Sequence, residues 1–181
     1  MRATVIYESM YGNTRKIAEA IAEGLDGTEL DLVPVGVAIE DRPASAEIVV
    51  IGAPTHMLGM SRPGSRTMAV AAAAKPNSGV VVEPGAAGPG VREWLAHCVG
   101  RGRYAVAFDT SLRGRWSGGA SRPIAKLLRK HGFVVLAEPE SFFVSKDNVL
   151  EPGEIERARE WGRLLARQAL GPRRVGIYAP P

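Results

Sequence analysis

Ser9, Gly12, Asn13 and Thr14 follow directly on the β-branched run Thr4-Val5-Ile6-Tyr7, in the pattern Ser-x-x-Gly-Asn-Thr. Hydroxyls and a carboxamide at that spacing are neutral hydrogen-bond donors, and the glycine lets backbone come close to a ligand. Ile17, Ile21 and Leu25 then recur every four residues, the mark of a helix with one buried face. The first amides of a helix have no intrahelical acceptor, and its dipole places partial positive charge there. Strand, turn and helix together therefore predict a cradle for a phosphate. The plainer alternative is a turn in which Asn13 or Thr14 merely caps the helix, which has no use for Ser9 and Gly12. No Gly-Lys-Ser or Gly-Lys-Thr closes the turn, and the three spaced glycines of a dinucleotide loop are missing.

Two later stretches have residues of the right kind to complete such a site. Ile48-Val49-Val50-Ile51-Gly52 is a continuous apolar run, typical of a parallel strand covered on both faces. The loop expected after it, Ala53 to Pro63, holds Met57, Leu58 and Met60. Apolar side chains in a loop either fold back on the core or are covered by something flat and apolar. The run Tyr104 to Phe108 predicts another buried strand, and the loop expected from Asp109 to Ala120 offers Thr110 and Ser111 as polar groups. Trp116 in that loop is suited either to stacking on a ligand or to packing beneath its own loop.

The amino-terminal pattern resembles the FMN phosphate loop of the flavodoxin family, and Ala53-Pro54-Thr55-x-x-x-Gly59 is similar to that family's loop after its third strand. The resemblance covers about residues 3–169. It implies non-covalent FMN, bound by Ser9, Met10, Tyr11, Gly12, Asn13 and Thr14 at the phosphate. It also implies that Pro54, Thr55, His56, Met57, Leu58 and Gly59 lie along the ring, and Asp109, Thr110, Ser111 and Trp116 at its other side. Under it the flavin supplies the redox chemistry, no side chain is a general acid or base, and no metal is involved. Two functions follow: an electron carrier serving a redox protein or a small-molecule donor or acceptor, or an FMN-dependent NAD(P)H or quinone oxidoreductase. The chain departs from electron-shuttling members by placing Arg113, Arg115 and Arg122 around the third loop, where such proteins are acidic. It also carries Tyr11 where many have Thr or Ser, and Ser-Met-Tyr-Gly is instead similar to flavodoxin-like quinone reductases.

The elements that must position these loops read as β-α-β-link-β-α-β-α-β-α. That order predicts a three-layer α/β flavodoxin-like fold with a five-stranded parallel sheet, order 2-1-3-4-5, helices on both faces, and ligands at the switch between strands one and three. Helices are expected from near Asn13 to Leu25, around Ser65–Ala74, over Val91 to Val99, over Ser121 to His131, and after Pro152. A polar link containing Pro43 and a flexible connector over Pro76 to Gly90 are expected between elements. Glu29 to Val33 alternates as a half-exposed edge strand does, and Pro139 is expected to interrupt the last strand.

At 181 residues the chain is expected to form one domain over 1–170, with 171–181 as a disordered tail. No apolar run approaches the ~18 residues of a membrane span. The single cysteine, Cys98, excludes an internal disulfide framework, and with no export signal in view the expected location is cytoplasmic. His56, His97 and His131 are too scattered to form a metal set with Cys98. Charge is uneven, with a balance of −3 over residues 1–90 and +7 over 91–181. The basic residues have little aromatic interleaving, which argues for solvated helix faces rather than nucleic-acid binding.

Overall fold

The computed structural model describes residues 1–41, 46–101, 103–114 and 119–171. Trp116, Arg115 and the tail after 171 lie outside the described residues. Three strands form the centre of the sheet: β1 (Arg2–Tyr7), β3 (Ile48–His56) and β5 (Tyr104–Leu112). They run parallel, with Val5 beside Val50 and Val50 beside Val106. Strand β2 (Glu29–Pro34) pairs in parallel along the outer side of β1, and its alternating burial is that of the expected edge strand. At the opposite edge, β6 (Val134–Val135) pairs with Tyr104–Ala105, and β7 (Glu140–Val144) pairs with Phe108–Leu112. These two pieces are one edge strand broken around Pro139, which has no N–H to give to the ladder. With the broken strand counted once, the order is β2-β1-β3-β5-β6/β7, which is the expected order of five parallel strands apart from one added hairpin strand. A two-residue strand, β4 (Gly59–Met60), is added as a hairpin on β3.

Side chains alternate across the sheet, so each central strand feeds two cores. Ala3, Val5, Ile48, Val50, Val106 and Phe108 face helices α1 (Asn13–Gly24) and α6 (Glu154–Leu170). Ile6, Val49, Ile51, Ala105 and Ala107 face α2 (Val35–Asp41), α4 (Val91–His97) and α5 (Ser121–Lys130). On the first side, Phe108, Phe142 and Trp161 meet edge to face with centroids 6.1–6.5 Å apart. Gly52 makes room for them, because a Cβ there would stand 1.9 Å from the Phe108 ring. Helices α1 and α6 cross through two glycines: a Cβ on Gly24 would meet the Arg159 carbonyl at 2.1 Å, and one on Gly162 the Ile21 carbonyl at 2.3 Å. Among the described residues no helix is long and apolar enough to cross a membrane.

Three expectations need correction. Residues 35–41 form a helix rather than a polar link, held by the burial of Val35 and Ala38 and not by local propensity, which Gly36 weakens. Both expected ligand loops begin later than the sequence suggests, since β3 extends to His56 and β5 to Leu112. Strand β1 ends at Tyr7, opposite Gly52, so Pro54 lies beyond that flank and deprives it of no donor. The segment 76–90 lacks regular structure but is fastened. The Glu83 amide donates to the Met10 carbonyl at 2.9 Å, Ala86 is buried, and the Val91 amide donates to Glu8 Oε2 at 2.8 Å.

Candidate functional site

The carboxyl ends of β1, β3 and β5 open onto one cleft, and the loop after β7 forms its far wall. From the β1–α1 turn come Met10, Tyr11, Asn13 and Thr14; from β3 come Pro54, Thr55 and His56; from β5 come Thr110, Ser111 and Leu112. Val144, Ser145, Lys146 and Asn148 complete the lining. Nine of the residues singled out from sequence are thus gathered on one surface.

The turn after β1 is built as an anion cradle requires. Gly12 takes φ 92°, a left-handed value that suits glycine, and stands at the N-terminus of α1. No side chain caps that helix, so Asn13 and Thr14 do not have the capping role and the first-turn amides are left for a ligand. Ser9 is used inside the turn, its Oγ accepting the Gly12 amide at 3.1 Å. The Asn13 carboxamide donates to the Asn148 carbonyl at 2.8 Å and to Asn148 Oδ1 at 3.2 Å, tying α1 to the loop after β7. Thr14 Oγ1 lies 2.7 Å from Thr110 Oγ1, joining α1 to β5. Tyr11 gives its hydroxyl to the Ala69 carbonyl at 2.8 Å and so anchors helix α3 (Pro63–Ala73).

The other sequence candidates fall into two groups. Met57, Leu58 and Gly59 lie outside the lining, at the tip of the β3–β4 hairpin. Met57 and Leu58 take φ of 44° and 74° and are 82% and 65% exposed. The tip is tied to the start of α5, with the Gly119 amide donating to the Leu58 carbonyl at 3.3 Å and the Ala120 amide to Thr55 Oγ1 at 3.1 Å. Asp109 is fully buried beneath the cleft rather than in it, its Oδ2 accepting the Ser121 amide at 2.7 Å.

Sequence reasoning missed Leu112, Val144, Ser145, Lys146 and Asn148 on the wall, and Glu83 behind it. Lys146 and Asn148 sit in a short turn of ordinary composition, with no spacing that links them to residues 9–14. Glu83 comes from the Gly- and Pro-rich segment, and its Oε1 accepts Arg15 Nε at 2.7 Å. Arg15 also pairs with Glu19 at 2.7 Å, and the two carboxylates raise the guanidinium pKa further.

Behind β3 lies a buried set of charges. Arg66, 2% exposed, donates to Ser61 Oγ at 2.8 Å and pairs with Glu93 at 3.1 Å, and Glu8 is 5% exposed. Gly90 permits their approach, since a Cβ there would stand 2.4 Å from Glu8 Oε2 and 2.7 Å from Arg66 Nη1. His56 lies in this field. Burial lowers its pKa and Arg66 acts in the same sense, while Glu8 opposes them. Cys98 is half-buried on the far side of the sheet, where burial pushes its thiol up to about 11, which makes it a poor nucleophile.

Residues 4–63 match the family model of the flavodoxin domain. A curated relative, the protein named flavodoxin from Aquifex aeolicus, is 41% identical over 59 residues. That match covers 31% of this chain and 32% of the relative, so it spans about a third of the relative's length. Among solved structures, a flavodoxin from the domain Archaea superposes with a TM-score of 0.66 at 21% identity, covering 93% of this chain and 99% of that one. The flavodiiron core Flv1 from Synechocystis sp. PCC6803 gives a TM-score of 0.63 at 18% identity, covering 93% of this chain and 36% of that one. At such identities the structural matches establish the fold.

Proposed function

We propose that the chain belongs with the flavodoxins it matches over residues 4–63, that the cleft binds FMN non-covalently and that the protein carries electrons between redox partners. The donor set of the cleft supports this reading. Among the described residues its lining includes Asn13, Thr14, Thr55, Thr110, Ser111 and Ser145 and no Asp or Glu. Neutral donors around an uncapped helix N-terminus suit a phosphate ester, whereas carboxylates in the lining would repel one. Thr14 and the first amides of α1, that of Asn13 included, would hold the phosphate, since the Asn13 carboxamide gives both its protons to Asn148. Pro54, Thr55 and His56 would lie along the ring, and Thr110 and Ser111 would serve its polar edge. The bound flavin supplies an electron-accepting and electron-donating ring; the chain binds it, orients it and limits its contact with water.

The alternative, an enzyme that takes electrons directly from NAD(P)H, needs basic groups to receive a nicotinamide phosphate. Arg113 is already committed, pairing with Glu151 at 2.8 Å and lying 4.1 Å over the Phe143 ring. That commitment removes Arg113 from such a role, whereas Arg122 on α5 is exposed. Titration of the purified protein with FMN, followed by flavin fluorescence and the visible spectrum, is expected to show one flavin bound per chain. The loaded protein is expected to keep its oxidised spectrum when mixed anaerobically with NADPH, until a separate reductase is added. A folded protein that takes up no FMN in excess overturns the cofactor, and rapid bleaching by NADPH alone overturns the carrier.

A further inference from the structure

The surroundings of the phosphate cradle carry more negative than positive charge. Glu83 Oε1 lies 3.5 Å and Arg15 Nη2 3.8 Å from where a Cβ on Gly12 would stand. The nearest guanidinium, Arg15, is shared between Glu83 and Glu19 and has no charge to spare. Glu8 is buried at the start of the same turn, and His56 is driven toward its neutral form by burial. A phosphate monoester bearing up to two charges would therefore enter a site whose cations are already matched.

Lys146 is the exception. It is the one Lys or Arg among the described residues lining the cleft, its side chain is exposed, and among the described residues it forms no ion pair. The turn that carries it is held firmly. The Ser145 amide donates to the Val149 carbonyl at 2.8 Å and the Asn148 amide to the Ser145 carbonyl at 3.0 Å. The Asp147 amide donates to Ser145 Oγ at 3.2 Å, and Asp147 itself is not part of the lining. Asn148, in the left-handed region at φ 58°, accepts both bonds from the Asn13 carboxamide. The backbone two residues beyond Lys146 is thus bonded directly to the first residue of α1.

We propose that Lys146 supplies the counter-charge for the phosphate monoester and is the residue by which the cleft prefers a phosphorylated flavin to its dephosphorylated form. This rests on the FMN reading above and adds to it a specificity-determining residue. The ammonium stands on a flexible stem at the rim, so it adds affinity through charge rather than through fixed geometry.

The test compares FMN and riboflavin binding to the wild-type protein, Lys146→Met and Lys146→Arg at low and high salt. Lys146→Met is expected to loosen FMN about tenfold at low salt, the order expected for one charge-assisted contact at a partly exposed site. Riboflavin affinity is expected to stay within about twofold, Lys146→Arg to restore FMN binding, and the salt dependence of FMN affinity to flatten in Lys146→Met. Equal loosening of both ligands, or no loosening of either, overturns the role of Lys146 and leaves the FMN reading standing. A wild-type protein that binds FMN and riboflavin equally well does the same. A wild-type protein that binds neither overturns the FMN reading and this inference with it.

Discussion

Thr14 and Thr110 are buried to within 2% and 5% of full enclosure, and their hydroxyl oxygens are 2.7 Å apart. Each hydroxyl has one proton, and the bond between them uses one, so the pair has one proton left to donate into the cleft. Thr14→Val keeps the shape of the side chain and removes the hydroxyl. Without ligand, the loss is one neutral hydrogen bond and a partner for Thr110, worth about 1 kcal/mol of folding stability. With FMN, a bond to a charged oxygen is lost as well, worth about 1.5–3 kcal/mol, which is a roughly ten- to hundredfold rise in Kd. Urea unfolding of the ligand-free protein measures the first quantity and a fluorescence titration measures the second. Thr110→Val and the double variant complete a cycle. If the hydroxyls act as a unit, the loss of affinity in the double variant falls short of the sum of the two single losses. A Thr14→Val protein that loses stability but binds FMN as tightly as wild type would refute the reasoning. The pair would then serve only to join α1 to β5.

Leu58→Gly removes an exposed leucine from a left-handed position at φ 74°. The ligand-free protein is expected to gain up to about 1 kcal/mol in urea unfolding through relief of backbone strain. FMN and riboflavin are expected to lose affinity equally if the hairpin tip covers the ring. Gly162→Ala places a Cβ 2.3 Å from the Ile21 carbonyl, backbone against backbone, so the α1–α6 crossing must widen. The expected cost is about 3 kcal/mol by urea unfolding, with weaker FMN binding because α1 carries the cradle. The pKa of His56 is lower in the folded protein than in the unfolded chain, so the unfolded chain binds the proton first as pH falls. Its contribution is complete above the ordinary histidine value of about 6.5 and is lost as pH drops below it; a urea series from pH 7.5 to 5 should flatten in His56→Asn.

The legible part of the fold is the part governed by local chemistry. Thr4 to Tyr7 and Ile48 to Ile51 declare central strands through β-branched runs, and Ile17, Ile21 and Leu25 declare the face of α1 that packs on them. Pro139 marks the break in the edge strand because a missing donor is a local property. Less legible are features that depend on what lies opposite. Ala53 to His56 read as a loop because Pro54 reads as a strand end, yet the register is fixed across the sheet, where Pro54 pairs with Thr110. The Gly- and Pro-rich segment before α4 looks unanchored, and it is held by the Glu83 amide on Met10, the Glu83 carboxylate on Arg15, the burial of Ala86 and the close approach of Glu8 and Arg66 that Gly90 permits. Lys146 reaches the cleft only because a broken edge strand ends beside a helix that began 133 residues earlier in the chain, a juxtaposition with no signature in the residues themselves.

These placements give the two ends of the cleft different physics. At one end, neutral donors and a helix terminus would meet the phosphate of the proposed cofactor, with Glu83 paired to Arg15 and Glu8 accepting the Val91 amide. Beyond the other, outside the lining, Met57 and Leu58 stand exposed at the hairpin tip in strained backbone, a surface that gains when a flat apolar group shields it. The two contributions separate experimentally, because removing charge at Lys146 discriminates between the phosphorylated and unphosphorylated ligand, whereas trimming Leu58 does not. A carrier needs this division. On this reading the phosphate end would fix the cofactor without contributing to its redox chemistry, and the potential would be set by the polarity of what touches the ring. Under the FMN reading those groups would be His56, whose pKa is lowered by burial, and the uncharged side chains of the hairpin tip.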